Sequence, residues 1–399
     1  MVISLTLRSL LVVIVLSGAN SFAAKANEDK GKAPEVTTAE KSLGFWELPH
    51  IQSPYISSKP ENRNDGVTVG DLAANIGNKN MLMKLANEFA DNNHGDYDSL
   101  LIAHKDKLLL ESYYKRGRID LPHFQNSATK GQTALVLGRA IQLGYLTMAD
   151  LNKPLVHFLK DLDTTKFVDG TEKVTLHQAM TMSSGLRFTD EQLTKFRENP
   201  EQYKGLAQVQ AFFELSKPIN SESQVYKYQS PDPILVMNVL NAVVPGNIKD
   251  FIKNEFFDKL GISNFNWRYD RSGITTGEGG LNLTSRDMLK AGKLVINKGS
   301  WNGEQLISTE YLAKATSAIT QATESWQGPE TYFYGYLWYQ TNLVVSDKSY
   351  DVKLTWGGGG NRIILIEELD LVIVLTGHDL VDETMMTLVS NHILPAFIN

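Results

Sequence analysis

Ser127-Ala128-Thr129-Lys130 sets a hydroxyl three residues ahead of an amine, at the point where a helical pattern begins. Residues 131–144 carry apolar side chains at helical spacing and close on Gly144. On a helix, positions i and i+3 share a face, so the two side chains can touch. A serine hydroxyl becomes a useful nucleophile when a base beside it takes its proton, and an amine can do so in its neutral form. The helix start adds free N–H groups that can hold an oxyanion. Read alone, Ser127 is equally an ordinary helix N-cap. A second Ser-x-x-Lys, Ser112 to Lys115, lies in a run from Lys107 to Tyr114 that reads as a strand. There, residues three apart point to opposite sides, so that pair cannot work together.

Two later stretches could supply a proton relay and an oxyanion site. In Tyr226-Lys227-Tyr228-Gln229-Ser230-Pro231-Asp232, Tyr228 sits on a loop feeding the apolar helix that starts near Ile234. A nearby ammonium stabilises a phenolate and makes it a usable base. Ser230-Pro231 is also a good N-cap and N1 pair, and the tyrosines could simply pack. Trp356-Gly357-Gly358-Gly359-Gly360-Asn361 lies between two strand patterns. Glycines let a backbone approach a substrate and aim N–H groups inward, completing an oxyanion hole with the Ser127 N–H; a plain turn or bulge uses them too.

The elements that must position these groups alternate along the chain. A helix is expected over 68–92, then two strands, 99–104 and 107–110, joined by a tight turn at Lys105-Asp106. Residues 127–300 read as mostly helical, with loops at 182–186 and 275–280. Strands return at 334–339, 352–356, 362–366 and 371–376, before a closing helix from about 380. Strands at both ends with helices between imply one antiparallel sheet built from the two termini, with an inserted helical lobe, in an α/β (α+β) fold. The aromatic residues Tyr332, Tyr334, Tyr336, Trp338 and Tyr339 should alternate faces, half in the core and half available to an acyl pocket.

The chain has 399 residues, 42% hydrophobic and 21% charged, with a net charge of −6, enough for a sizeable core. An acidic balance without a block of like charge argues against nucleic acid as partner. Arg8, the apolar run 10–16 and the small residues around Ala23-Ala24 describe a signal peptide over 1–23 and a periplasmic destination, with no stable membrane insertion after cleavage. Residues 24–65, polar around Pro34, Pro49, Pro54 and Pro60, read as a linker or extended arm, and 66–399 as the catalytic domain. There is no cysteine, hence no disulfide, lipid-anchoring thiol or thiolate metal site. No Gly-x-Ser-x-Gly elbow occurs, and the eight histidines form no His-Glu-x-x-His, so neither metal nor other cofactor is expected. His157 and His177 read as packing or surface residues, and His378 is placed away from the site.

With three motifs in this order, residues from about 97 onward resemble the serine hydrolases of the β-lactamase and penicillin-binding superfamily, in its class C-like branch. That branch carries Ser-x-x-Lys, then Tyr-x-Asn or Tyr-x-Ser, then a Lys/His/Trp-x-Gly triad, matched by Ser127-Ala128-Thr129-Lys130, Tyr228-Gln229-Ser230 and Trp356-Gly357-Gly358. The segments 180–186 and 279–287 look like the family as well. The resemblance implies a β-lactamase/transpeptidase-like fold with Ser127 as the acylated nucleophile and Lys130 and Tyr228 sharing one proton. Which of the two takes the serine proton stays open. It also implies oxyanion donors at Ser127 and Gly359, with Gly358 the neighbouring choice. Trp356 stands where β-lactamases and transpeptidases usually hold a cation, so a substrate carboxylate loses a partner unless Arg362 compensates. Trp-Gly-Gly is similar to family VIII carboxylesterases, and a bare glycine-rich turn to 6-aminohexanoate-dimer hydrolases. The leading expectation is an exported esterase or amidase acting on small ester, amide or peptide-like substrates. A β-lactamase or D,D-peptidase comes second, and a catalytically silent cell-wall-binding or regulatory protein third. The residues do not indicate an oligomeric state.

Overall fold

The computed structural model describes residues 31–76, 78–323, 329, 331–378 and 385–398, so the expected signal segment 1–23 lies outside the described residues. Nine strands form one antiparallel sheet: β1 Tyr55–Ser57, β2 Tyr97–His104, β3 Lys107–Tyr113, β4 Thr320–Gln321, β5 Phe333–Tyr334, β6 Tyr339–Val345, β7 Lys348–Gly357, β8 Asn361–Ile366 and β9 Leu371–Gly377. Their order is β1-β3-β2-β9-β8-β7-β6-β5-β4. The seam between the two chain ends is β2 against β9, with Ile102 opposite Ile373 and Leu100 opposite Leu375. These central strands are continuous apolar runs because both of their faces are buried. Lys105 and Asp106, both at positive φ, give the tight hairpin between β2 and β3.

One face is covered by the helix Lys79–Ala90 (α1) and the helical end 385–397; Phe89 of α1 meets Tyr97 edge-on at 4.9 Å. The other carries Thr129–Gln142 (α2) and Ser285–Ile296 (α4), with Pro231–Val243 (α3) packed behind α2. A Cβ on Gly292 of α4 would come within 2.7 Å of Val372, so α4 belongs to the sheet layer, and the helical lobe proper ends before it. A second small sheet, His123–Phe124, Leu281–Leu283 and Asn266–Trp267, leads the chain into the serine turn.

Two expectations need correction, and a third resolves to one of its alternatives. The helix expected over 68–92 is two pieces, Leu72–Asn75 and α1. The described part of the 24–65 segment, expected as a linker or an extended arm, lies as an arm against the domain. The Ile119 N–H donates to the Pro34 carbonyl at 2.9 Å, Arg118 reaches Glu40 at 2.7 Å, and β1 extends the sheet beside β3. Its polar composition hid partners lying far along the chain. The strand expected over 334–339 turns at Leu337, whose φ is +58, and only Tyr339 starts β6. The four aromatic residues of this run, and Tyr332 just before it, are all buried rather than alternating between core and surface.

Candidate active site

Ser127 occupies a single 3-10 turn, Asn126–Ala128, immediately before α2. Asn126 takes the left-handed conformation with φ of +49, which its short amide tolerates, and donates from Nδ2 to the Gly358 carbonyl at 2.6 Å. Lys130, in the first turn of α2 and almost wholly buried, donates from Nζ to Ser127 Oγ at 3.0 Å and to the Glu278 carbonyl at 2.8 Å. The Tyr228 ring lies beneath that amine, with its centroid 4.8 Å from Nζ. Ser127, Lys130 and Tyr228 are therefore brought together from two elements roughly a hundred residues apart. The loop at 275–280 is pressed into place: Thr133 donates to the Gly277 carbonyl at 2.8 Å, and a Cβ on Gly277 would collide with Pro233.

Tyr228 is held by its neighbours. The Lys227 N–H bonds the Met182 carbonyl at 2.8 Å, and Gln229 Nε2 donates to Asp232 Oδ1 at 3.0 Å and to Ser184 Oγ at 3.2 Å. Asp232, fully buried in the first turn of α3, also accepts from Ser184 Oγ at 2.5 Å; burial pushes its carboxyl up to about 7 against these hydrogen bonds. Ser230 precedes Pro231 with an exposed side chain that caps nothing, and its hydroxyl makes no hydrogen bond among the described residues. It is not drawn into the serine–lysine pair.

The glycine run forms the turn between β7 and β8, with Gly357 opposite Asn361. A Cβ on Gly357 would sit 2.1 Å from the Gln125 carbonyl oxygen and 2.8 Å from the Ala128 nitrogen. A Cβ on Gly131 would sit 2.3 Å from Thr355 Cγ2. Thr355 and Gly357 thus face the serine turn and α2, and strand alternation sends Trp356 to the opposite face. There its ring packs with Tyr332 and Tyr339, and the buried Arg362 guanidinium lies 4.2 Å from its centroid. Arg362 is directly opposite Trp356 in the β7–β8 register and shares that face, away from Ser127. Of the two glycines considered as the second oxyanion donor, Gly358 meets Asn126 through its carbonyl, whereas Gly359, at φ of +85, turns toward the Gly377 carbonyl and His378.

Several residues of the neighbourhood escaped the sequence analysis. Glu278 contributes the carbonyl that anchors Lys130, and burial pushes its own carboxyl up. His378, expected away from the site, lies directly behind Gly359. It shares the fully buried Asp98 with His123, at 2.8 Å from Nδ1 and 3.1 Å from Nε2. These hydrogen bonds hold the Asp98 carboxyl down at about 2, although burial opposes them. A polar residue at the start of an apolar strand was the available signal for Asp98; its partners, 25 and 280 residues away, left none.

The β-lactamase family model matches residues 91–386, and the chain belongs to that family. Its fold is the β-lactamase/transpeptidase fold, a large antiparallel sheet with flanking helices. No curated protein matches the chain in sequence. Among solved structures, a Bacillus anthracis protein titled as a 6-aminohexanoate-dimer hydrolase is 19% identical, with a TM-score of 0.59, over 77% of this chain and 80% of that one. A class C β-lactamase is 15% identical, with a TM-score of 0.60, over 80% and 96%. A penicillin-binding protein homologue from Caulobacter crescentus is 12% identical, with a TM-score of 0.59, over 79% and 94%.

Proposed function

We propose that this protein is an exported serine hydrolase that cleaves ester or amide bonds of small substrates through an acyl-enzyme. The observation that carries the reading is the 3.0 Å contact between Lys130 Nζ and Ser127 Oγ at the start of a buried helix, with the Tyr228 ring against the same amine. In acylation, Lys130 in its neutral form takes the Ser127 proton and Oγ attacks the carbonyl carbon. The N–H of Ser127 and an N–H of the glycine turn at Gly358-Gly359 receive the developing oxyanion. Lys130 and Tyr228 then pass the proton to the leaving group, and water repeats the attack on the acyl-enzyme in the second half.

The side chains facing α2 from β7 favour a neutral substrate. Thr355 stands between Trp356 and Leu354, and neither it nor Gly357 offers the cation that a penicillin carboxylate would need. Arg362 is stacked on Trp356 on the far face. This supports an esterase or amidase over a β-lactamase or D,D-peptidase.

Intact-mass measurement with a fluorophosphonate probe tests the proposal on wild type and Ser127→Ala. One adduct on wild type, absent from the variant, is the expected result; ester, amide and penicillin panels then rank the substrates. A folded wild-type protein that takes no adduct would place the silent binding protein first.

A further inference from the structure

Asp98, His123 and His378 lie outside the serine–lysine–tyrosine group, yet they join its two halves. Asp98 is the second residue of β2 and has no exposed surface. Its Oδ1 accepts the Arg116 backbone N–H at 3.0 Å, and its Oδ2 accepts from both imidazoles. His123 begins the short strand that runs into Ser127 four residues later. Its carbonyl accepts from Gln125 Nε2 at 2.8 Å, and the Gln125 carbonyl is the atom on which Gly357 closes. His378 follows β9, and its Cα lies 3.1 Å from where a Cβ on Gly359 would be. One carboxylate oxygen therefore ties the strand carrying Ser127 to the backbone behind the glycine turn.

The second ring nitrogen of His123 adds a chemical constraint. Nδ1 faces the Phe124 carbonyl oxygen at 3.2 Å, while Nε2 faces the Asp98 carboxylate. A carbonyl and an ionised carboxylate only accept, so both contacts are hydrogen bonds only when the ring carries a proton on each nitrogen. A neutral ring would set a lone pair against one of the oxygens. The N-terminal arm packs on the pair: Phe45 meets His123 edge-on at 4.9 Å and His378 at 5.6 Å, and Trp46 meets His378 at 5.3 Å.

We propose that Asp98, His123 and His378 are positioning residues for the oxyanion site, and that His123 acts as an imidazolium whose Nδ1–H fixes the Phe124 carbonyl three residues before the nucleophile. This rests on the serine-hydrolase reading. Losing a proton from His123 frees that carbonyl and loosens the Ser127 turn against Gly357 and Gly358. The charged groups around the cluster are Asp98 and Asp96 at the start of β2, Lys115 paired with Asp96, Arg116 over the Phe45 and Trp46 rings, and His378 itself. The strand Leu281–Leu283 brings none.

The test combines two measurements on the full chain. Histidine-selective 15N NMR across a pH titration reads the protonation of His123 directly; both nitrogens should be protonated at neutral pH in wild type, and this should be lost in Asp98→Asn. In parallel, the fluorophosphonate acylation rate of Ser127 is followed against pH. The saturating rate should fall on the alkaline side with the His123 midpoint, while half-saturation stays put. His123→Gln should lack that limb and acylate about tenfold or more slowly, as expected for a misplaced reacting group. A singly protonated His123 at neutral pH, or an acylation rate indifferent to its titration, overturns the inference. Wild type that never acylates overturns the hydrolase reading instead, and the NMR result still decides whether His123 holds Phe124.

Discussion

Replacing Asp232 with asparagine should change the stability of this protein in a pH-dependent way, stabilising it at neutral and alkaline pH and not at acid pH. The buried carboxyl is raised from 3.8 to about 7 by desolvation, the dominant influence, against hydrogen bonds from Ser184 and Gln229. Below pH 3.8 both folded and unfolded chains carry the proton, and ionisation costs the fold nothing. Between 3.8 and about 7 the unfolded chain ionises while the folded one holds its proton, so stability falls as pH rises. Above about 7 the penalty is constant. A shift of roughly three pH units corresponds to about 4 kcal/mol. The asparagine side chain would keep the Oδ1 acceptor for Ser184 and Gln229. Its Nδ2 would occupy the place of Oδ2, which has no hydrogen-bond partner among the described residues, at a cost of about 1 kcal/mol. Asp232→Asn should therefore be slightly less stable than wild type near pH 3.5 and about 3 kcal/mol more stable at pH 8. Urea unfolding of both proteins at intervals from about pH 3.5 to 8.5 measures this. A stability difference that stays flat across the range would refute the burial argument.

Two further outcomes follow from close contacts. Gly357→Ala would put a methyl 2.1 Å from the Gln125 carbonyl oxygen, so β7 must withdraw from the serine turn. We expect about 1–3 kcal/mol of destabilisation in urea unfolding, with fluorophosphonate labelling of Ser127 slowed far beyond what that loss explains. Arg286 holds the fully buried Glu111 through two hydrogen bonds of 2.7 and 2.8 Å and pins the arm at Asp65. Arg286→Met would strand that carboxylate and should cost about 3–5 kcal/mol, whereas Arg286→Met with Glu111→Leu should recover much of it; an additive loss would contradict the pairing.

The contact between Ser127 and Lys130 was legible because it follows from four consecutive residues at a helix start. Tyr228 was legible from residue type and order along the chain, since its contact with Lys130 is long-range. The register of the glycine run was not. Four successive glycines carry no alternation, so nothing local says that Gly357 closes on Gln125 and that Trp356 must then face away. The same holds for the bend at Leu337, where a left-handed leucine interrupts a run of ideal strand formers. Asp98 and its histidines were hidden for a different reason. Their partnership is a product of topology, and no pattern within one segment encodes it. The sheet's general plan could be read because apolar runs of strand length mark both ends of the chain.

The pairing of β2 with β9 also sets a timetable. Ile102 waits for Ile373, about 270 residues later, and at typical synthesis rates of roughly 5–20 residues per second that is on the order of 15–50 s of chain growth. Throughout that interval the hairpin of β2 and β3 presents an apolar, unpaired edge, and the serine turn has no strand to close against. The central sheet cannot be completed on the ribosome until almost the whole chain has emerged. A chaperone that shields the segment 97–113 should therefore raise the soluble yield of this protein more than it raises the stability of the finished fold.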